Sequence, residues 1–539
     1  MIERDTTMRN YLWICLVLLG LGQPARLAAA QVAGVDVLHY VFELTLSDEA
    51  DRIEGETTLT ARFTRPDVAA LPLNLVSPTG PAETGMRVDA VLEDGRPIRF
   101  NQIEDRLLLT LSSPSQAGEE RVFTITYAGT PTDGLIVSRN RHGNRTFFGD
   151  NWPNRARHWL PTIDHPSDKA TCEFVVRAPA GYQVIANGRL VEETDLPGGM
   201  RLTHWKTEAS LPTKVMVFGA ARFAVRHEGE YQNVPIQSWV YPEDREAGFH
   251  DFGVTLDMLR FFEQRIGPFP YEKLANVQSK TRYGGMENAG AIFYNENAIT
   301  GERANAVTVA HEIAHQWFGD SVTEADWPHI WLSEGFATYF AELYFEHTLG
   351  RERLQEGMAE ARAAVLGFYR RNAGAPLVNP APTDPNEHLN TNSYQKGAWV
   401  LHMLRGLLGE EAFWAGIRAY YATYRDANAT SADLQRVMEE AYGKELGWFF
   451  QQWLERPGHP KVAVLWTYDA GQVVVTVNQT QREAPFRFPL TLALGSAPGA
   501  RRETVDISGV SERFSFTASG PIDRIVVDPD GAVLLEEDL

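Results

Sequence analysis

The chain has 539 residues, more than one hydrophobic core usually serves, so several domains are expected. Its 44% apolar and 22% charged content is that of a soluble globular protein and excludes a disordered or fibrous design. A formal net charge of −20 excludes nucleic acid as the principal partner, because a phosphate-binding surface needs clustered Lys and Arg.

At the start of the chain, Arg4 and Arg9 precede an apolar run from Tyr11 to Gly22, and Ala28-Ala29-Ala30 follows. A charged region, a short apolar region and small residues at a cleavage site predict a secretory signal peptide over residues 1–30. The apolar run is about a dozen residues, short of the roughly 20 that span a bilayer. Export to the periplasm or the medium is therefore expected, with no stable membrane span. Ile14 before Cys15 argues against lipid attachment. Of the two cysteines only Cys172 lies beyond the signal, so no internal disulfide is expected in the mature chain.

From Val37 to about Val225 apolar residues alternate with polar ones, as in Tyr40–Leu46, Thr57–Phe63, Arg106–Leu111, Arg121–Tyr127 and Ala170–Arg177. Short alternating runs between turn residues predict an antiparallel β domain over 31–228. Near Pro242 the period changes. Phe252, Leu256, Leu259, Phe262 and Ile266 follow helical spacing, and Gly267-Pro268 stops that element. Helical segments then dominate to Leu454: Ala304–Phe318, Leu332–Thr348, Arg351–Arg370, Tyr394–Leu408 and Ser431–Tyr442. A loop at 373–392 with four prolines and four asparagines interrupts them, and long loops in compact domains are often functional. This region, 229–456, is expected to be the catalytic domain. Beyond Arg456-Pro457-Gly458 alternation returns in Val462–Tyr468, Val473–Asn478, Phe486–Leu494 and Ile522–Val527, predicting a small β-sandwich over 457–539.

His311-Glu312-Ile313-Ala314-His315 is H-E-x-x-H within a segment free of Pro and Gly. On a helix, residues four apart share a face, so both imidazoles reach one ion. A catalytic zinc takes three protein ligands and keeps one position for water. Glu334 suits the third, with eighteen residues between it and His315, enough for one helix to end and a second to begin. Glu312 is then expected to face the open position as general base. Asp320, Thr323 and Glu342 are candidates for holding the histidines. The spacing predicts one Zn2+ ion, although other divalent ions also accept two His and a Glu.

Gly284-Gly285-Met286-Glu287-Asn288-Ala289-Gly290 refines the reaction. Two glycines let a backbone approach closely, so a substrate can add as a strand along this edge. Glu287 then offers a carboxylate to the α-ammonium, which limits cleavage to the first residue. Gly284, Gly285, Met286, Glu287 and Asn288 are the expected substrate-binding residues, and Met286 with Tyr283 is expected to line the first side-chain pocket.

These motifs resemble those of the aminopeptidase N family of gluzincins, which carries G-x-M-E-N shortly before H-E-x-x-H-x18-E and includes a bifunctional leukotriene-epoxide hydrolase. The resemblance runs through His165–Thr171, His315–Asp320 and Tyr394–Ala398 and covers nearly the whole mature chain. It implies a multidomain α+β protein with a thermolysin-like, mainly helical catalytic domain. It implies zinc-dependent release of the first residue from peptides with a free N-terminus, and assigns to Tyr394 the hydrogen bond that stabilises the oxyanion. Two departures stand out. The family's second amine-binding acid or amide falls near Trp152 here, where Asp150 or Asn151 is expected to substitute, Asp150 before Asn151. The large helical C-terminal domain of many members has no counterpart, which predicts a more open cleft. A zinc endopeptidase and an epoxide hydrolase are the alternatives within the family. A catalytically dead peptide-binding protein would be expected to lack one of the five ligand and catalytic residues, and all five are present. Oligomeric state and the preferred first residue are not legible from the motifs.

Overall fold

Along Val35–Thr45 and Ile53–Phe63 every second side chain turns inward, so Tyr40, Phe42, Leu44 and Leu59 are fully buried while their neighbours face solvent. That alternation belongs to the residues described by the computed structural model, 34–80, 84–496, 499–518 and 520–538. The expected export signal lies outside the described residues. The two strands pair antiparallel, Tyr40 opposite Leu59, with a bulge between Val37 and His39. They form the middle of a nine-stranded sheet with Lys169–Pro179, Met200–Lys206 and Arg189–Leu196 on one side and Glu120–Thr130 and Gly85–Glu93 on the other. Pairing is antiparallel throughout except between Val35–Thr45 and Lys169–Pro179, which run parallel. The sheet's long connection returns the chain beside its first strand.

A second, five-stranded sheet matters more for the site. Its order is Ala224–Tyr231, Val234–Val240, Leu274–Ser279, Ala291–Asn295 and, at the edge, Gly285–Met286. The boundary expected at 228 falls inside the first of these strands. The hairpin 224–240 is held by its pairing to Leu274–Ser279 and so stays with the catalytic sheet.

The helices follow the apolar spacing closely: Thr255–Ile266, Ala306–His315, Trp331–Leu349, Arg351–Tyr369, Gly397–Leu408, Glu410–Tyr424 and Ser431–Tyr442. Thr430 and Asp433 form a reciprocal capping box at the start of the last. Ala306–His315 packs against Trp331–Leu349, which packs in turn against Gly397–Leu408. Beyond Lys461 the chain forms a four-stranded and a three-stranded sheet, with Val473, Val475, Leu490 and Leu492 inward. No helix among the described residues is long and apolar enough to cross a membrane.

The N-terminal sheet region and the helices share a polar interior. Lys169 donates to the carbonyls of Asp320 (3.0 Å) and Ser321 (2.7 Å) and to Thr323 Oγ1 (3.0 Å), in the turn that follows the Ala306–His315 helix. Lys214 and Glu324 form an ion pair at 2.5 Å with both side chains essentially inaccessible to water. Asn187 Nδ2 bridges the carbonyls of Val215 and Ala289.

Candidate active site

His311 and His315 leave one face of their helix side by side, their Nε2 atoms 3.0 Å apart. Glu334, in the first turn of Trp331–Leu349, sets Oε2 3.4 Å from His311 Nε2 and 3.2 Å from His315 Nε2. Ligands about 2.0–2.1 Å from a tetrahedral zinc lie about 3.3 Å from one another, so this triangle has the size of one face of a zinc site. The tautomer fits as well. His315 Nδ1 lies 3.1 Å from the carbonyl oxygen of Phe318. A carbonyl only accepts, so Nδ1 carries a proton and Nε2 is the nitrogen turned to the site, where an ion would take the place of a proton.

Electrostatics point the same way. Burial opposes charge on His315, yet Glu287 and Glu334 raise its pKa to about 10. Burial alone would raise Glu334, but the facing His315 and His311 hold its carboxyl well below the usual range. Burial raises Glu312 well above its ordinary value; Glu287 and Glu334 add to this and His315 opposes it. A dry cluster of carboxylates that draws protons onto its neighbours is one that accepts a cation. The residues present therefore fit a divalent zinc.

Around this centre lies a cleft of about 380 Å³. Gly284, Gly285, Met286 and Glu287 form one wall, in which the edge strand Gly285–Met286 pairs with Tyr294 and Phe293. Glu287 is 5% exposed and its Oε1 has no hydrogen-bond partner. The ligand atoms of Glu287, Glu312 and His315 lie within 4.8 Å of one another. Gly285 is required by close approach: a Cβ there would sit 2.5 Å from Cγ and Cδ of Glu312 and nearer still to its Oε1. Tyr394 closes the opposite side from a π-helical turn, Asn392–Lys396, its ring stacked 6.0 Å from His311 at 14°. Burial, then Glu334 and Glu287, push its phenol well above 10, so it stays a donor.

Two expected substrate contacts are not in this cleft. Asp150 is fully buried behind the wall, held by Arg155 at 3.0 Å and Arg282 at 3.3 Å, so its charge is already neutralised. Trp152 lines the cleft instead, edge-on to Tyr283 and Trp327. Asn288 is also fully buried, two residues past the end of the edge strand. Tyr283 and Met286 do line the cleft, joined by Val307, Thr308, Thr338, Leu389 and Gln395. Among the described residues no Lys or Arg lines it.

The groups that hold His315 also differ from those expected. Asp320 meets Gln316, Thr323 meets Lys169, and Glu342 pairs with Arg353. His315 is held by the Phe318 carbonyl and by Ser333 Oγ at 3.1 Å. Gly319, at φ +119°, lets the chain turn there, and a Cβ would meet Ser333 Oγ and lie 2.9 Å from His315 Nδ1. Ser333 precedes Glu334 in the chain, a nearness the sequence carries but helix spacing does not single out.

Comparison with known proteins agrees with this architecture. Residues 250–453 match the Peptidase family M1 domain and residues 37–215 the Peptidase M1 N-terminal domain. A leucyl aminopeptidase of Saccharolobus solfataricus is 26% identical over 415 residues, 70% of this chain and 50% of that protein. Aminopeptidase M1 of Arabidopsis thaliana is 28% identical over 327 residues, 58% of this chain and 37% of that protein. The chain thus spans about half the length, or less, of these curated relatives. The crystal structure of a mutant M1 zinc metallopeptidase from Deinococcus radiodurans superposes with a TM-score of 0.66 at 27% identity, covering 79% of this chain and 96% of that one. With both domains matched in order and the metal-type triangle inside the second of them, the chain belongs to the M1 peptidase family, the aminopeptidase N type.

Proposed function

We propose that the protein is a zinc aminopeptidase that removes the first residue from peptides with a free N-terminus, with one ion held by His311, His315 and Glu334. When bound, zinc acidifies a water and polarises the scissile carbonyl. Glu312 takes the proton from the attacking water and delivers it to the leaving amine. Tyr394 donates a hydrogen bond to the oxygen that becomes negative. Glu287 holds the substrate's α-ammonium.

The observation that carries this reading is the nearness of the Glu287 carboxylate to Glu312 and His315. In a peptide the α-nitrogen is only two bonds, about 2.5 Å, from the carbonyl carbon of the same residue. An anion this close to the reacting centre therefore marks the first peptide bond as the one cleaved. Hydrolysis of amino-acid amides, free and N-acetylated, with and without a chelator, tests it. Only the free forms should be turned over, and Glu287→Gln should raise their KM by about 10-fold or more, the worth of a desolvated charge pair. Equal cleavage of acetylated substrates would make the protein an endopeptidase. With three carboxylates and, among the described residues, no Lys or Arg in the lining to pair an acidic side chain, amides of Asp and Glu should be the slowest of the panel.

Gly285→Ala offers an independent check. The added methyl group displaces the Glu312 carboxylate, so kcat/KM should fall by about 10²-fold. Metal analysis should find zinc content unchanged, because all three ligands remain. Wild-type activity in this variant would mean that Glu312 need not sit where it does.

A further inference from the structure

Gln316 follows His315 directly, is fully buried, and has no place in the chemistry above. Its side-chain amide nonetheless touches the substrate wall twice. Nε2 donates to the carbonyl of Glu287 at 2.7 Å, and Oε1 accepts from the N–H of Gly290 at 2.8 Å. Nε2 also lies 3.2 Å from Asp320 Oδ2. One planar group thus binds both ends of the turn Glu287–Gly290. The turn's two backbone groups fix which way the amide faces, since one needs a donor and the other an acceptor. On its far side the same turn is held by Asn187, which donates to the Ala289 carbonyl at 2.8 Å.

We infer that Gln316 is a positioning residue that sets the distance between the Glu287 carboxylate and the metal centre. This rests on the reading of Glu287 as the amine anchor. The helix that presents His311 and His315 would then carry its own gauge for the substrate: the residue beside a metal ligand also fixes the backbone of the residue that grips the α-ammonium. Selection of the first peptide bond depends on that spacing, and an error of about 1 Å there can cost about 10²-fold. Glu312 already crowds Gly285 from the same helix, so the wall is seated by one steric contact and one bidentate hydrogen bond. The contact keeps the wall from approaching, and the amide keeps it from receding.

The test uses two inhibitors that differ only in the α-amine: leucine hydroxamate and 4-methylpentanoyl hydroxamate. Both present a metal-binding hydroxamate, and only the first can use Glu287. In Gln316→Met, which has a similar shape without the hydrogen bonds, the inhibition constant of leucine hydroxamate should rise about 10- to 100-fold. That of the des-amino compound should stay within about 2-fold, and zinc content should be unchanged. If Gln316→Met does not fold, Gln316→Glu, which keeps the shape and places a carboxylate against the Glu287 carbonyl, should give the same selective loss. Equal weakening of both inhibitors would mean a merely structural residue and overturn the proposal, as would no change in either. If the wild type already binds the two compounds equally, the amine-anchor reading fails first and the role of Gln316 with it.

Discussion

Glu312→Gln should lower kcat/KM on free amino-acid amides by about 10²–10⁴-fold while leaving the zinc content intact. Glutamine keeps the shape and packing of a side chain that is only 5% exposed, and none of the three ligand atoms of His311, His315 and Glu334 is touched. What disappears is the ability to take a proton and return it. The protein's own groups raise this carboxyl well above its ordinary range, through burial and through Glu287 and Glu334, against the pull of His315. A bound dication reverses that balance by favouring the ionised form. Because Glu312 is one of several crowded carboxylates, the variant should unfold at the same temperature as the wild type or higher. Metal analysis, thermal unfolding and steady-state kinetics on one preparation decide the matter. Activity within a factor of a few would remove Glu312 from the mechanism.

Tyr394→Phe should lower kcat by about 10²–10³-fold with little change in KM. In the proposed mechanism the hydroxyl is offered to an oxygen that becomes negative as the transition state forms, so its loss falls on kcat. The ring itself, stacked on His311, is kept by phenylalanine. Burial and the nearby Glu334 and Glu287 hold the phenol well above 10, so the donor should survive through the alkaline range in which the enzyme stays folded. A raised KM with unchanged kcat would show that Tyr394 binds the ground state instead.

The parts of this molecule that were legible in its sequence are those set by local periodicity. Helix geometry alone brings His311 and His315 together, and the eighteen-residue gap to Glu334 is long enough for a turn between two packed helices. Strand alternation over Tyr40–Leu46 and Thr57–Phe63 located the ends of Val35–Thr45 and Ile53–Phe63 to within one residue but began each strand four or five residues late. Contacts between separate segments were not legible in this way. Whether Asp150 or Trp152 faces the cleft depends on the path of one loop and on Arg282, well over a hundred residues away, which draws the Asp150 carboxylate backwards. Asn288 shares a motif with Gly284–Glu287 and was expected to bind substrate with them, but the edge strand Gly285–Met286 ends before it and its side chain is buried. Ser333 and the Phe318 carbonyl hold His315 because a turn permitted by Gly319 brings them there, which no spacing rule encodes. The hairpin 224–240 carries strand alternation like that of the preceding domain, and only its pairing partners assign it to the catalytic sheet.

Lys169 and Lys214 have a consequence for the autonomy of the helical half. Both leave the N-terminal β region and end among groups just beyond the metal-site helix, at Asp320, Ser321, Thr323 and Glu324. A charge removed from a sealed pair leaves its partner stranded, and that is more damaging than the loss of a surface contact. Cutting between the halves would strand Glu324 and free the carbonyls that fix the end of the zinc-type helix. The helical half is therefore not a portable cassette: the β region completes its floor, and the two halves make one indivisible unit.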